Sequence, residues 1–194
     1  MESYLKFLFE NGVETYYVMP YNSRYSQLYE AEIFELNKFV IKTVKDLNKE
    51  NLCIVSDSIH GPTKLSMDLG FDAFNAGCDI FASICREKYF SDIQIISHYR
   101  KLSDALKMPL LVHEMPFLSG YNSQNFKWPY SLIESLLSIE NIVAIKEASG
   151  DFDQIMKIIK YKPNEFLVIS GDDVLTVPMI YMGAKSVISV LGQS

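Results

Sequence analysis

The sequence predicts an α/β fold in which helices cover a parallel sheet, and three observations carry that expectation. Short, largely apolar runs of strand length recur along the chain, at Thr15–Met19, Leu52–Ser56, Asp79–Ile84, Leu110–His113, Ile142–Lys146, Phe166–Ser170 and Ser186–Val190. Between them lie longer segments with helical spacing of apolar residues, the clearest being Leu28–Lys49, Lys64–Asn75, Asp92–Leu106, Ser131–Ser138, Phe152–Ile159 and Val174–Met182. Glycine closes helical segments just before strands, at Asn11-Gly12, Ala76-Gly77 and Met182-Gly183, where a left-handed cap is expected. Apolar strands joined by helical crossovers are buried on both faces, which is the parallel arrangement.

Periodicity alone allows either an open doubly wound sheet or a closed barrel. A dinucleotide-type open sheet would carry a Gly-rich turn after an early strand. The first strand instead runs into Pro20-Tyr21-Asn22-Ser23-Arg24, and no P-loop or GxGxxG occurs. The strand count points the other way. Seven strands follow an opening helix, and the sequence stops just after the seventh. One further strand before and one further helix after would complete an eight-fold repeat. The expectation is a TIM (β/α)8 barrel lacking its first strand and last helix, as a single domain over 1–194. A complete barrel needs about 250 residues.

With 194 residues, 48% of them hydrophobic, the chain is long enough for a sizeable core. The net charge of −6 and the absence of a long basic run argue against nucleic acid as a partner. Three cysteines, Cys53, Cys78 and Cys85, show no metal-like spacing and no even pairing, so buried thiols in a reducing, cytoplasmic compartment are expected. The opening MESYLKFLFENG is amphipathic rather than a signal peptide, and no uncharged apolar stretch of about 18 residues suggests a membrane span.

The segment Asn141–Asp151, NIVAIKEASGD, carries the clearest chemistry. Alternate strand residues share a face, so Ile142, Ala144 and Lys146 point one way. If that way is the barrel interior, Lys146 is held at the C-terminal mouth, where barrels place their sites. Partial desolvation there would lower its pKa and free a neutral amine to attack a ketone. Alternation alone also allows, and more commonly yields, a strand-end lysine that reaches solvent.

The run NIVAIKEASGDFDQIMKIIK, followed by FLVISGDDVLTVPMIYMGAKSVISV, resembles the dihydrodipicolinate synthase / N-acetylneuraminate lyase family. IKEASGD, SGDD and GAKSVISV occur in family order and spacing. FLFENGVETYYVM and MPLLVHEMPFLSG resemble, more weakly, the family's first helix with its second strand and its fifth-strand segment. The resemblance implies a pyruvate-type class I aldolase barrel and a Schiff-base role for Lys146. It also implies substrate-pocket roles for Gly171 and Ile188 through backbone groups.

Departures from the family pattern are equally specific. The family's carboxylate-binding Gly-Thr-Thr-Gly-Glu turn is replaced by Pro20-Tyr21-Asn22-Ser23-Arg24, with Tyr21 and Asn22 on the two threonine positions. The family's Tyr-Asn-x-Pro, whose tyrosine relays protons, is replaced by His113-Glu114-Met115-Pro116. Leu118 stands where synthases carry an arginine, and the second family tyrosine has no match in SICREKYF. His113 could shuttle protons or could be a packed histidine. Arg24 could clamp a carboxylate beside Asn22 and Ser23, or be a solvated loop arginine. Glu114 and Glu147 lie one residue from the inward positions and are expected to face outward. Tyr16-Tyr17 and Tyr89-Phe90 are expected to pack rather than bind ligand.

These readings lead to one expected function and one alternative. The first is a class I aldolase or lyase acting on a small 2-oxo acid such as pyruvate, with Lys146 and His113 catalytic. Tyr21, Asn22, Ser23, Arg24, Gly171 and Ile188 would bind the substrate. The alternative is an impaired barrel, or a fragment of a longer protein, that binds a 2-oxo acid without turnover. Neither a metal nor an organic cofactor is expected, because the imine is itself the electron sink. Uncovered barrel edges favour a homo-oligomer.

Overall fold

The computed structural model describes residues 1–57, 61–84, 91–115 and 128–188, apart from the side chain of Asn22. Helix α1 (Glu2–Glu10) leads into β1 (Thr15–Val18), and α2 (Glu30–Leu47) into β2 (Leu52–Ser56). The alternation continues through α3 (Thr63–Asn75), β3 (Ile80–Ile84), α4 (Asp92–Leu106), β4 (Leu110–Glu114), α5 (Tyr130–Leu137) and β5 (Ile142–Glu147). It closes with α6 (Phe152–Tyr161), β6 (Leu167–Ser170), α7 (Thr176–Met182) and β7 (Ser186–Val187). All neighbouring strands are parallel, and their order in the sheet is their order in the chain. The seven-stranded sheet is thus an open, incomplete (β/α)8 barrel with β1 and β7 at its edges.

Side-chain alternation divides the core into two layers. Ile54, Ala82, Leu111, Ala144 and Ile169 form the inner cluster, with Tyr17, Ile80 and Ile188 packed against it. The opposite face, including Val55, Phe81, Val112, Ile145 and Val168, meets the helices through residues such as Ile41, Leu102 and Ile158. Burial on both faces explains why the strands read as continuous apolar runs.

Local chemistry sets the element ends. Gly77 and Gly183, with φ of +99° and +116°, close α3 and α7 in the left-handed region that disfavours a Cβ. Asp151 caps α6 by accepting a hydrogen bond from the Gln154 amide at 3.2 Å. Helix α2 is shorter than the expected Leu28–Lys49, because Glu32 reaches back to accept from the Tyr29 amide at 2.8 Å and sets the start there. The first strand stops at Val18 rather than Met19: Met19 has φ 58° and turns the chain into two 3-10 turns, Tyr21–Ser23 and Tyr25–Gln27. Cys85, Tyr89, Phe90, Pro116, Leu118 and the end of the last expected strand lie outside the described residues.

Two polar clusters tie the helical layer to the sheet. Lys45 of α2 donates to both Asp79 oxygens at 2.9 and 2.8 Å, and Asp79 also accepts from the Cys53 amide at 2.7 Å. At the other end of β2 and β3, buried Asp57 accepts from the hydroxyls of Ser66 and Ser83, each at 2.8 Å, and from the Ile84 amide at 2.9 Å. Ser83 in turn lies 2.9 Å from His98 Nε2, and Thr63 Oγ1 lies 3.0 Å from His98 Nδ1. Burial pushes the Cys53 thiol up to about 12 and the Cys78 thiol to about 11, so both are uncharged packing groups.

Strands β4 and β5 each run one residue past the expected His113 and Lys146, to Glu114 and Glu147, which are paired in register. Both carboxyls are fully buried on the helix-facing side. Glu114 accepts from Gln154 Nε2 at 3.0 Å to each oxygen and from the Trp128 amide at 3.3 Å. Glu147 Oε1 accepts from the Ser149 amide at 3.2 Å, and its Oε2 has no partner. Burial, reinforced by the Glu147 charge, pushes Glu114 up to about 8. Burial likewise pushes Glu147 up to about 7, with the charges of Asp151 and Asp172 adding to the shift and hydrogen bonds from Ser149 opposing it. A carboxyl whose folded pKa is raised holds its proton in the folded state. Its stabilising contribution is complete below the ordinary value and is lost as pH rises through the raised one. The chain should therefore lose stability as pH rises from the ordinary carboxyl value near 4.5 to about 8, with little further loss from these groups above that. Glu114→Gln should flatten that loss, as read by urea unfolding at about pH 5.5 and about pH 9.

Candidate active site

The inner face of the sheet changes character at its C-terminal end. Below are Ile54, Ala82, Leu111 and Ala144. Two residues further along their strands, on the same face, come Ser56, Ile84, His113 and Lys146. Lys146 is only 7% exposed, and its Nζ lies 3.1 Å from His113 Nε2 on the neighbouring strand, its partner in register. Burial lowers the Lys146 ammonium to about 8, with the Asp173 charge opposing the shift. Burial, and secondarily the Lys146 charge, hold His113 well below the ordinary imidazole range, so its ring is neutral. A neutral ring that accepts from the ammonium through Nε2 carries its proton on Nδ1. That Nδ1 is buried and has no hydrogen-bond partner among the described residues.

Tyr17 packs as expected, but on the inner face of the sheet. Its neighbour Tyr16 is buried in the outer layer and donates from its hydroxyl to the Val13 carbonyl at 3.0 Å. Tyr17 belongs to the inner face, with Lys146 Nζ 5.8 Å from its ring centroid. Its hydroxyl is buried without a hydrogen bond, and so is that of Ser56 on the adjoining strand. Burial raises the phenol far above its ordinary value. The neighbouring Ser56 hydroxyl, which would hydrogen-bond the phenolate, offsets that shift only in part. Each buried polar group left unpaired costs about 1–3 kcal/mol, so three of them around one lysine mark a chemically costly spot. Alternation could have put Tyr17 on the lysine's side only if the registers of the intervening strands were known.

The remaining expected site residues are distributed unequally. Gly171 follows β6 and lies against the lysine. A Cβ there would sit 3.0 Å from Lys146 Cε, 3.0 Å from Ala148 Cβ and 3.1 Å from the Glu147 carbonyl oxygen. Its amide donates to that carbonyl at 2.8 Å. Ile188 packs against the inner cluster and its amide donates to the Ser170 carbonyl at 2.9 Å. Tyr21, Ser23 and Arg24 lie just after β1, and all three are exposed, Tyr21 at 39%. The Ser23 hydroxyl is used locally, donating to the Pro20 carbonyl at 2.7 Å. Asn22 shares this turn, its side chain lying outside the described residues. Among the described residues no group of three or more His, Cys, Asp or Glu could hold a metal ion. No helix among them is long and apolar enough to cross a membrane.

Comparison with known proteins agrees with this arrangement at the level of family. A 4-hydroxy-tetrahydrodipicolinate synthase of Cytophaga hutchinsonii is 41% identical over 121 residues, which are 61% of this chain and 38% of the relative. The crystal structure of a dihydrodipicolinate synthase from Bacillus anthracis superposes with a TM-score of 0.85 at 27% identity, covering 97% of this chain and 62% of that one. The chloride-inhibited dihydrodipicolinate synthase of Acinetobacter baumannii, solved in complex with pyruvate, shares the fold with a TM-score of 0.84 at 23% identity, over 98% of this chain and 63% of that one. The chain thus spans less than two thirds of the length of these relatives. The profile of the Dihydrodipicolinate synthetase family matches residues 1–193, and the chain belongs to that family.

Proposed function

We propose that the chain forms a Schiff base between Lys146 and a small 2-oxo acid such as pyruvate, as a pyruvate-type class I aldolase or lyase. The observation that carries this reading is a buried lysine at a barrel's C-terminal mouth, 3.1 Å from a neutral histidine. Desolvation lowers the amine to about 8, which leaves a useful neutral fraction near physiological pH. The neutral fraction of the Lys146 amine attacks the ketone carbon, and the neutral His113 ring, 3.1 Å away through Nε2, relays protons from that nitrogen toward the leaving oxygen. The C–N bond forms, the carbonyl oxygen is protonated, and the two protons lost from nitrogen leave with that oxygen as water. The resulting imine withdraws electrons from the adjacent carbon, which is what carbon–carbon bond cleavage or formation needs. Pyruvate is bound by the Acinetobacter baumannii relative, which supports the choice of probe.

Tyr21, Asn22, Ser23 and Arg24 would approach the substrate from the mouth, and Gly171 would leave room for the lysine. The second reading, binding without turnover, is favoured by the exposure of Tyr21, Ser23 and Arg24.

Borohydride trapping with pyruvate, followed by mass spectrometry, tests the reading. An adduct on Lys146 that is absent from Lys146→Ala is expected, and its formation rate should climb as pH rises through about 8. Adduct spread over surface lysines, or none at all, would refute the proposal. A turnover assay on a chain that traps then separates lyase from binder. Gly171→Ala should slow trapping by about ten-fold or more, because the added methyl displaces the Lys146 side chain from its attack position.

A further inference from the structure

The polar atoms left unpaired around Lys146 have a shared chemistry. Tyr17 Oη and Ser56 Oγ are hydroxyls on adjacent strands, β1 and β2, and both are buried with no well-formed hydrogen bond among the described residues. Ser56 is 2% exposed. With its phenol raised far above the ordinary range, Tyr17 keeps its proton and acts as a donor. Facing them across the interior is the Lys146 ammonium, 5.8 Å from the Tyr17 ring centroid. Two neighbouring hydroxyls opposite a buried cation, with an apolar floor of Ile54, Leu111 and Ala144 and with the Asp57 charge also acting on Tyr17, can complement a small anion.

The turn after β1 offers less. Arg24 is exposed, and the Ser23 hydroxyl is already donating to Pro20. In a 2-oxo acid the carboxylate is bonded directly to the ketone carbon. A ketone held at Lys146 Nζ therefore keeps its carboxylate one bond from the attacked carbon, with the Tyr17 ring centroid 5.8 Å from that Nζ.

We infer that Tyr17 and Ser56 form the carboxylate-binding wall of the Lys146 site, donating their hydroxyl protons to the acid group of the bound 2-oxo acid. This deepens the imine reading and rests on it. It also makes Tyr17 a specificity residue: it favours acids over uncharged ketones, because an ester or amide in that position accepts more weakly than a carboxylate.

The test compares trapping of pyruvate and of methyl pyruvate, which lacks the charge, by the full chain, Tyr17→Phe and Ser56→Ala. Tyr17→Phe removes a single oxygen and leaves the ring packing in place. Loss of one hydrogen bond to a charged group should raise the half-saturating pyruvate concentration about ten-fold or more. The rate at saturation should hold, and methyl pyruvate should respond little. Variants that leave pyruvate saturation unchanged, or that weaken acid and ester equally, overturn the inference. If the unaltered chain traps neither compound, the imine reading fails, and calorimetry of pyruvate on Lys146→Ala decides this one separately. Binding that disappears on adding Tyr17→Phe upholds the wall. Binding indifferent to Tyr17→Phe, or no binding, overturns it.

Discussion

The in-register pairing of β4 with β5 is the constraint on which the rest of this molecule depends. It sets His113 beside Lys146 on the inner face and, one residue later, Glu114 beside Glu147 on the outer face. Both pairs are buried, and neither is an ordinary salt bridge. On the inside a cation faces a neutral ring, and on the outside two acids face each other. A slip of one residue would exchange the faces and set carboxyls in the barrel and the lysine beneath α6. The apolar residues below, Leu111 and Ala144 inward and Val112 and Ile145 outward, make that slip costly because each is nearly wholly buried.

Desolvation then does different work on the two faces. Inside, it weakens the charged form of Lys146 and of His113 together, which makes an amine available and a ring able to accept. Outside, it weakens the charged forms of Glu114 and Glu147, so the acids behind the site retain protons near neutrality. The helical layer answers with neutral donors, Gln154 and the Trp128 amide, and not with a cation. Helix α6 is held by this contact and by its Asp151 cap, so the loop carrying Ser149 and Gly150 is tied to the same strand end as Lys146.

Family membership and local departure coexist in one site. The IKEASGD segment and Gly171 keep the lysine and the space around it, while the residues that would position a substrate differ from the family pattern. Tyr17 and Ser56 supply unpaired donors from the first two strands, and the turn after β1 is solvent-exposed. On the proposed reading, imine chemistry can be retained while the way the acid is held changes, because Lys146 stands on β5 and Tyr17 and Ser56 on β1 and β2.

By itself the sequence determined the parallel α/β order, most strand and helix positions, the family, and Lys146 as the residue to watch. These follow from local signals: hydrophobic period, glycine caps and a contiguous motif. It also determined that Glu114 and Glu147 face away from the lysine, since alternation along one strand is local. Only the tertiary structure decided that β4 and β5 extend to those acids and bury both, that Met19 turns out of its strand, and that Tyr17 and Ser56 share an interior with Lys146. Such facts depend on register between strands distant in sequence and on what the helices cover. Period-two alternation says which residues share a face of one strand, but not what stands opposite them. That is set by how the strands pack into the barrel, and no single segment of the chain contains it.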